Sequence, residues 1–375
     1  MQQAVRELQA LIERSDWREK FEKAIKNAQK YQVQGIRHIH SLQDYLRWIN
    51  DLLEWVPIEN PERHILDRIH EFYFILDQPP VRELQNRIVS PDQTQPLTEL
   101  SQWMVNFIKC LGSFCDSTES INSETIRSFY DCPAFRMNEY MPPPSGYKTF
   151  NQLFARCIKP GMRPIAAPND PSVITCAVDS TFLGWWQLNE QSKITVKGLD
   201  WSVLDLLEGS PYRDRFNGGI FAHGYLNAFD YHRLHVPVGG LVKEARIIQG
   251  RVYLDVKAIP AGKDEHDMRH DLKAVHVLAT QDDVGYQFTQ TRGLIVLDTP
   301  IGLVAVLPIG MGMVSSVIMT ADVGKTLRKG EEFAYFQCGG SDHIVLFEAA
   351  SCVNITAQPS THYNQGACIG YAHPN

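Results

Sequence analysis

Lys329-Gly-Glu-Glu-Phe-Ala-Tyr-Phe-Gln-Cys-Gly-Gly-Ser-Asp-His-Ile-Val-Leu-Phe-Glu348 is the stretch around which this chain is organised. An aromatic run, Phe333–Phe336, and an apolar run, Ile344–Phe347, predict two strands on either side of the pair Gly340-Ser341. A glycine-serine pair most often forms a tight turn, which is the first interpretation. The second is self-cleavage, because glycine has no side chain to block attack on its carbonyl by the serine hydroxyl.

Self-cleavage at this pair would leave a new chemical group on the chain. Attack by the Ser341 hydroxyl on the Gly340 carbonyl converts the amide into an ester, and loss of the Ser341 α-proton then expels that ester and cuts the chain. The dehydroalanine left at position 341 tautomerises and hydrolyses to a pyruvoyl group. Alanine could supply neither the nucleophile nor the leaving oxygen.

Composition limits the classes of protein that this chain could belong to. Its 375 residues have room for two domains or one large one, and a net charge of −7 argues against a nucleic-acid partner. Met1–Lys30 is charged and lacks the apolar core of a signal peptide, and no uncharged run reaches membrane-spanning length. The eight cysteines contain no Cys-x-x-Cys pair, which favours reduced thiols in the cytoplasm. Peripheral membrane contact and homo-oligomer formation stay open.

Two regions differ in their pattern of apolar residues. Residues 1–145 carry apolar residues at helical spacing, and their aromatic stripes are typical of a core rather than a cofactor site. The predicted helical segments are Met1–Lys30, Tyr45–Trp55, Ile65–Leu76 and Leu97–Phe114. The stiff stretch Met141–Gly146 predicts the boundary to a second domain, residues 146–375, which opens with a short helix from Phe150 that Pro160 ends.

The second region reads as β-structure. Its short β-branched runs, broken by glycine, proline and aspartate, predict a mainly antiparallel sheet with a few helices such as Trp201–Leu207. The predicted strands are Val173–Val178, Lys193–Val196, Leu241–Ile248, Val252–Val256, Leu294–Leu297, Leu303–Val306 and Ile344–Phe347. The fold class is therefore α+β, with a helical domain followed by a mainly antiparallel β domain.

Histidines three residues apart, His232 and His235, form the second chemical signal. They could be structural, or they could bind zinc, although no matching third and fourth ligands follow. They could also be a functional pair in Asp230-Tyr-His-Arg-Leu-His-Val-Pro-Val-Gly239. A further pair, His266 and His270, lies among charged residues, which predict a solvated loop or helix end rather than a metal site.

These motifs together resemble the phosphatidylserine decarboxylase family. The stretch Lys329–Glu348 is similar to the family's processing site, and the histidine string matches its signature almost residue for residue. The family usually has Gly-Ser-Thr where this chain has Gly-Ser-Asp, so that threonine is replaced by Asp342. It also usually has glycine at the position of Ser180. Phe150–Ile165 resembles the opening of the decarboxylase domain, whose arginines hold a polar loop. The helical region is similar to an N-terminal extension of some members, including fungal tryptophan decarboxylases.

The resemblance implies a role for each site residue. The chain would cut itself between Gly340 and Ser341, and Ser341 would become the pyruvoyl cofactor, with no metal involved. Asp179 would orient His235, which would take the hydroxyl proton of Ser341 during maturation. His232 would assist decarboxylation, for instance as a proton donor. The enzyme would be a carboxy-lyase that holds its substrate amine as a Schiff base, with the cleaved C-terminal fragment as its partner.

Three hypotheses remain for what the chain acts on. The N-terminal extension favours a free aromatic L-amino acid such as tryptophan. The alternative is the head group of phosphatidylserine, giving phosphatidylethanolamine, which a peripheral enzyme could reach through the apolar face of Asp44–Trp55. An unprocessed binding protein on the same fold is the third. We expect the first.

Overall fold

The computed structural model describes residues 1–59, 65–86, 95–188, 193–196, 199–260, 276–280, 285–312, 316–337 and 340–373. Helices dominate the first part of the chain, as predicted, and a short one opens the second. They are α1 Gln3–Arg14, α2 Arg18–Gln29, α3 Leu42–Leu52, α4 Ile65–Leu76, α5 Glu99–Cys115, α6 Ser123–Asp131 and α7 Phe150–Phe154. Helix α7 ends before Pro160, because the chain pairs in a short strand from Cys157.

Helix α3 shows how sequence fixes these elements locally. Ser41 caps it by accepting a hydrogen bond from the Asp44 amide at 3.1 Å, and the Asp44 carboxylate accepts from the Ser41 amide in return. The apolar face of the helix, which includes Tyr45, Trp48 and Leu52, is buried in the protein core. The idea that Asp44–Trp55 offers an apolar face to a membrane is therefore wrong, because that face already packs against the other helices.

Short strands make up most of the rest. They are β1 Tyr140–Met141, β2 Cys157–Ile158, β3 Val173–Thr175, β4 Ser180–Gln187, β5 Lys193–Val196, β6 Leu199–Ser202, β7 Ile220–Leu226, β8 Arg233–His235, β9 Gly240–Ile248, β10 Val256–Pro260, β11 His276–Thr280, β12 Arg292–Thr299, β13 Gly302–Met311, β14 Ser316–Met319, β15 Thr326–Leu327, β16 Glu332–Gln337, β17 Gly340–Phe347, β18 Val353–Ile355, β19 Thr361–Tyr363 and β20 Cys368–Ala372.

One large antiparallel sheet carries the centre of the molecule. In the described residues it has eight strands in the order β15-β9-β12-β13-β17-β7-β4-β19. Strand β17 lies inside the sheet, between β13 and β7. A second sheet, β14-β16-β8, brings the histidine segment next to the strand that precedes Gly340. The predicted α+β class is confirmed.

Residues after the predicted cut are interwoven with those before it. Strand β17 pairs with β13 and β7 along its whole length, and β19 pairs with β4 at the edge of the same sheet. Strand β20 lies between β18 and β3. Segment 341–373 therefore completes two sheets that begin in the preceding part of the chain.

Two local predictions were wrong. Residues 252–255 do not form a strand, because the amide of Tyr253 bonds to the side chain of Gln290 instead of a neighbouring strand. The predicted helix Trp201–Leu207 begins as the end of strand β6 and continues only as a 3-10 turn, Val203–Leu207. His266 and His270 lie outside the described residues.

The helical region packs directly against the β region. The Nδ1 atom of His70 lies 3.0 Å from the carbonyl oxygen of Leu278, and the carboxylate of Asp77 accepts a hydrogen bond from the Val256 amide at 2.9 Å. The buried apolar side chains of both regions belong to one cluster. The division at residue 145 stays a prediction. Within the described residues, we find no helix with the length and apolar character that crossing a bilayer requires.

Candidate active site

Ser341 stands at the second position of strand β17. It pairs with Gly310 of β13 on one side and with Leu226 of β7 on the other, so its backbone is held from both directions. The side chain is fully buried, and its Oγ atom has no hydrogen-bond partner among the residues that the structure describes. Buried hydroxyls are normally paired, so an unpaired one next to a glycine carbonyl is a candidate nucleophile. The turn interpretation of Gly340-Ser341 is wrong, because the pair lies in a strand.

Side chains alternate between the two faces of β17, which separates Ser341 from its neighbour Asp342. His343 shares the Ser341 face, where it packs against Gly224. A methyl group on Gly224 would lie 2.3 Å from the His343 ring, so only glycine fits there. Burial, with a further contribution from the nearby His223, lowers the pKa of His343 to about 3, so this imidazole is neutral at neutral pH.

His232 is buried between aromatic rings. Its ring centroid lies 4.2 Å from that of Phe154 and 6.2 Å from that of Phe336. Its Nδ1 lies 2.9 Å from the Asp230 carbonyl oxygen, which can only accept, so Nδ1 carries the proton. Nε2 then carries a lone pair, and no described residue forms a hydrogen bond with it. Burial, with a further contribution from the charge of Arg156, lowers the pKa of His232 to about 3.

Arg156 fixes the loop that carries His232. It is fully buried, and it donates hydrogen bonds to the carbonyls of Phe229, at 2.6 Å, and Asp230, at 3.3 Å. The guanidinium also lies over the ring of Tyr140, 4.1 Å from its centroid. The expectation that the arginines of this segment hold a polar loop agrees with these contacts.

His235 has both ring nitrogens occupied. Nδ1 lies 2.8 Å from the carbonyl oxygen of Gly330, so it carries the proton, and Nε2 accepts from the hydroxyl of Tyr231 at 3.0 Å. Gly330 has a φ of 81° and belongs to the Lys-Gly-Glu-Glu turn, so this turn directs a carbonyl at the histidine. Burial is the main reason that the pKa of His235 is lowered.

Asp179 is fully buried between arginines. Arg163 donates from Nε to its Oδ1 at 2.8 Å, Arg136 lies 3.1 Å from its Oδ2, and the amide of Gln365 donates at 2.7 Å. In the described part of the chain, Asp179 makes no hydrogen bond to His235, although its negative charge offsets a small part of the lowering that burial causes in the pKa of that histidine. The roles of Asp179, His232, His235 and Ser341 therefore stay predictions.

A buried hydrogen-bonded pair of side chains next to Ser341 was not predicted. The Oδ2 atom of Asp342 lies 2.8 Å from Nε2 of His223 on β7, and the two side chains are 1% and 10% exposed. The signal for it was the departure from the family pattern at position 342, together with a histidine inside the largely apolar run Ile220–Leu226. No group of three or more potential metal ligands is found within the described residues.

The sequence model of the family described as phosphatidylserine decarboxylase matches residues 150–371, which is more than half of the chain. The chain belongs to this family. Members of the phosphatidylserine decarboxylase family are carboxy-lyases that use a covalent pyruvoyl group. The resemblance based on the motifs is therefore confirmed, whereas membership of a subgroup with an N-terminal extension stays unconfirmed.

Several curated relatives share the matched segment. Phosphatidylserine decarboxylase proenzyme 3 of Schizosaccharomyces pombe is 31% identical over 61% of this chain, and proenzyme 2 of Oryza sativa is 31% identical over 56%. The chain spans only 22% and 31% of those two proteins. The proenzyme of Fusobacterium nucleatum is 29% identical over 60% of this chain, which spans 69% of it.

The residues present fit the covalent pyruvoyl group of this family, made from Ser341. The unpaired Oγ of Ser341 is available for attack, and Gly340 precedes it with no side chain in the way. His235 and His232 lie in the neighbouring histidine segment, each with a lone pair at Nε2.

Proposed function

We propose that this chain is a proenzyme that cuts itself between Gly340 and Ser341 and then removes the α-carboxylate of phosphatidylserine. The observation that carries the proposal is the fully buried, unpaired hydroxyl of Ser341, which directly follows a glycine in a strand held on both sides. Because the chain spans a minor part of two of its relatives, their activity is transferred to it only as this proposal.

Cleavage needs a base for the hydroxyl proton of Ser341. His235 is neutral, and its Nε2 lone pair can take that proton once the ring exchanges Tyr231 for Ser341. The charge of Asp179 favours the protonated imidazole at a distance, without a hydrogen bond to it. The backbone pairs to Gly310 and Leu226 keep residue 341 in place while the bond breaks.

Decarboxylation needs an electron sink and a proton. A pyruvoyl group made from Ser341 would supply a ketone as the electron sink for the loss of carbon dioxide. His232 offers a lone pair at Nε2, and burial keeps this imidazole neutral at neutral pH. His232 would therefore first take the proton that the substrate ammonium gives up and return it to the α-carbon after carbon dioxide has left, rather than begin as the donor.

The preference for phosphatidylserine over a free amino acid comes from the relatives. The three relatives described above are named as phosphatidylserine decarboxylases, which makes the lipid the better-supported substrate. Turnover of that lipid would place the chain at a membrane surface. Because the face of α3 is buried, another surface would have to make this contact.

A free aromatic amino acid is the second candidate, and one contact favours it. Tyr73 of α4 approaches Gly312, where an added methyl group would lie 3.3 Å from its ring. Gly312 lies two residues after Gly310, which is the strand partner of Ser341. The helical region, which precedes the segment matched by the family, therefore reaches the neighbourhood of the site and could shape a different substrate pocket.

The test uses the full chain and its Ser341→Ala variant. Intact mass should show two fragments for the wild type, the smaller one beginning with a pyruvoyl group, and a single uncut chain for the variant. Wild-type protein should convert phosphatidylserine vesicles to phosphatidylethanolamine and leave L-tryptophan unchanged.

Each contrary outcome has its own meaning. Tryptamine without phosphatidylethanolamine would reject the lipid in favour of the second candidate. A wild-type chain that stays uncut and inactive would support an unprocessed binding protein. Continued cleavage of Ser341→Ala would point to an outside protease.

A further inference from the structure

We propose that Asp342 binds the ammonium group of the substrate, and that His223 positions the Asp342 carboxylate for this contact. The inference rests on the proposed function, because it assumes that residue 341 becomes the reacting centre. Asp342 is the next residue along the chain, and it begins the part of the C-terminal fragment that keeps an ordinary side chain.

The carboxylate of Asp342 has one oxygen engaged and one unused. Oδ2 lies 2.8 Å from Nε2 of His223, whereas Oδ1 has no hydrogen-bond partner within the described parts of the chain. The side chain is 1% exposed, so bulk water does not solvate that oxygen. Unpaired buried acceptors are few in folded proteins, and one beside a reacting centre is a candidate ligand-binding atom.

Arg292, the nearest basic residue in the same cross-strand row, does not neutralise the charge of Asp342. Across the sheet, Asp342 pairs with Ile309, and Ile309 pairs with Arg292. The guanidinium of Arg292 donates to the carbonyls of Leu206 and Asp205, at 2.8 and 3.0 Å. Its hydrogen bonds are therefore directed at the backbone, and the carboxylate of Asp342 is left to the imidazole of His223 and to an incoming cation.

An ammonium group suits the free oxygen, because it offers three N–H donors and a positive charge. Phosphatidylserine and free amino acids both carry this group on the carbon that bears the carboxylate. The inference therefore holds for either candidate substrate. Binding forms hydrogen bonds only, and no covalent bond forms or breaks in it.

The two faces of β17 separate this role from self-cleavage. The hydroxyl of Ser341 points to one face and the carboxylate of Asp342 to the other, because side chains alternate along a strand. Loss of the carboxylate should therefore spare cleavage and weaken amine binding. His223 belongs to the large fragment, so it also ties the start of the small fragment to β7.

The experiment compares wild type with Asp342→Thr, which installs the residue usual in the family, and with Asp342→Asn. His223→Gln keeps an N–H donor, and His223→Leu removes it. Arg215→Gln is the matched control, because Arg215 contacts Glu348 at 2.6 Å, just past the far end of β17, and also joins the two fragments. Intact mass should show complete cleavage in all of them.

Binding is measured on cleaved protein whose ketone has been reduced with borohydride, so that no covalent adduct can form. Dissociation constants are determined for short-chain phosphatidylserine and for L-tryptophan, each as the ammonium and as the N-acetyl form. Wild type and Arg215→Gln should bind the ammonium form of at least one of these two ligands about tenfold or more tightly than its N-acetyl form. Asp342→Thr and Asp342→Asn should lose that preference, His223→Leu should lose part of it, and His223→Gln should keep most of it.

A second readout uses hydroxylamine, a neutral nucleophile, on unreduced protein. Its rate of reaction with the ketone should stay within about twofold of wild type in Asp342→Thr. If the Asp342 variants bound the ammonium and N-acetyl forms equally more weakly and also reacted more slowly with hydroxylamine, the role of Asp342 would be purely structural. That result would overturn the proposal. The proposal would also be overturned if the cleaved wild type showed no preference for the ammonium form, or if neither Asp342 variant were cleaved. An uncut wild type would instead refute the proposed function on which the inference rests.

Discussion

The hydroxyl of Tyr231 donates a 3.0 Å hydrogen bond to Nε2 of His235, the nitrogen that the proposed cleavage needs as its base. We predict that Tyr231→Phe is still cleaved, and about two- to tenfold faster, because a hydrogen bond of about 0.5–1.5 kcal/mol no longer competes with Ser341. The rate is measured by following the full-length chain on denaturing gels during cell-free synthesis.

His235→Asn is the companion variant. It removes the base and should slow cleavage by about a hundredfold or more. If Tyr231→Phe instead slows cleavage by more than tenfold, the phenol itself passes the proton, and Tyr231 belongs to the machinery rather than competing with it.

Asp179→Asn should lower stability strongly, whatever it does to cleavage. It would leave the buried Arg163 with Glu139, at 2.8 Å, as its remaining charged partner, and breaking a buried pair in this way costs about 3–5 kcal/mol. Urea unfolding in a Ser341→Ala background, which keeps the chain in one piece, measures the loss. Arg213→Gln breaks the more exposed pair with Asp205 and should cost less than about 1 kcal/mol. Equal losses for the two variants would contradict this account.

His343→Leu should make the chain more resistant to acid. Because burial lowers the pKa of His343 to about 3, the folded state holds fewer protons than the unfolded state below pH 6.5, and stability falls as the pH falls. Removing this histidine should flatten the decline by up to about 1.4 kcal/mol per pH unit. Urea unfolding of Ser341→Ala chains between pH 7 and pH 4 tests it, with the exposed His38→Gln as control. An unchanged slope would show that His343 does not titrate in this way.

His362→Gln should have the opposite pH dependence. The hydrogen bond to Asp230, at 2.9 Å, raises the pKa of His362, so its stabilising effect is complete below pH 6.5 and is lost as the pH rises through the raised pKa. The imidazole is partly exposed, so we expect a loss of less than about 1 kcal/mol. Thermal unfolding at pH 5.5 and pH 9 should show that loss only at the lower pH. A loss of stability of the same size at both pH values would indicate that the contact between His362 and Asp230 involves a neutral imidazole.

Local sequence patterns predicted much of the secondary structure. The bounds of Ile65–Leu76 and Lys193–Val196 coincide with α4 and β5, because apolar spacing and β-branched content act within a few residues. The prediction of a strand at residues 252–255 failed for a tertiary reason, because the side chain of Gln290 replaces the strand partner that their composition favours.

The chemistry of the site was less accessible than its residues. Ser341 and the histidines could be named from motifs, but the partners of each ring nitrogen depend on distant segments. Nothing in the pattern around His235 shows that Tyr231 occupies its Nε2, or that arginines enclose Asp179. The contact between His223 and Asp342 depends on the register of β7 and β17, which only the folded sheet determines.

The position of β17 in the interior of the sheet has a practical consequence for anyone handling the mature protein. The two pieces should copurify on a tag attached to either one, and should separate only in denaturant. Separately expressed pieces should not reconstitute, since the larger would have an open gap in its central sheet where the missing strand belongs.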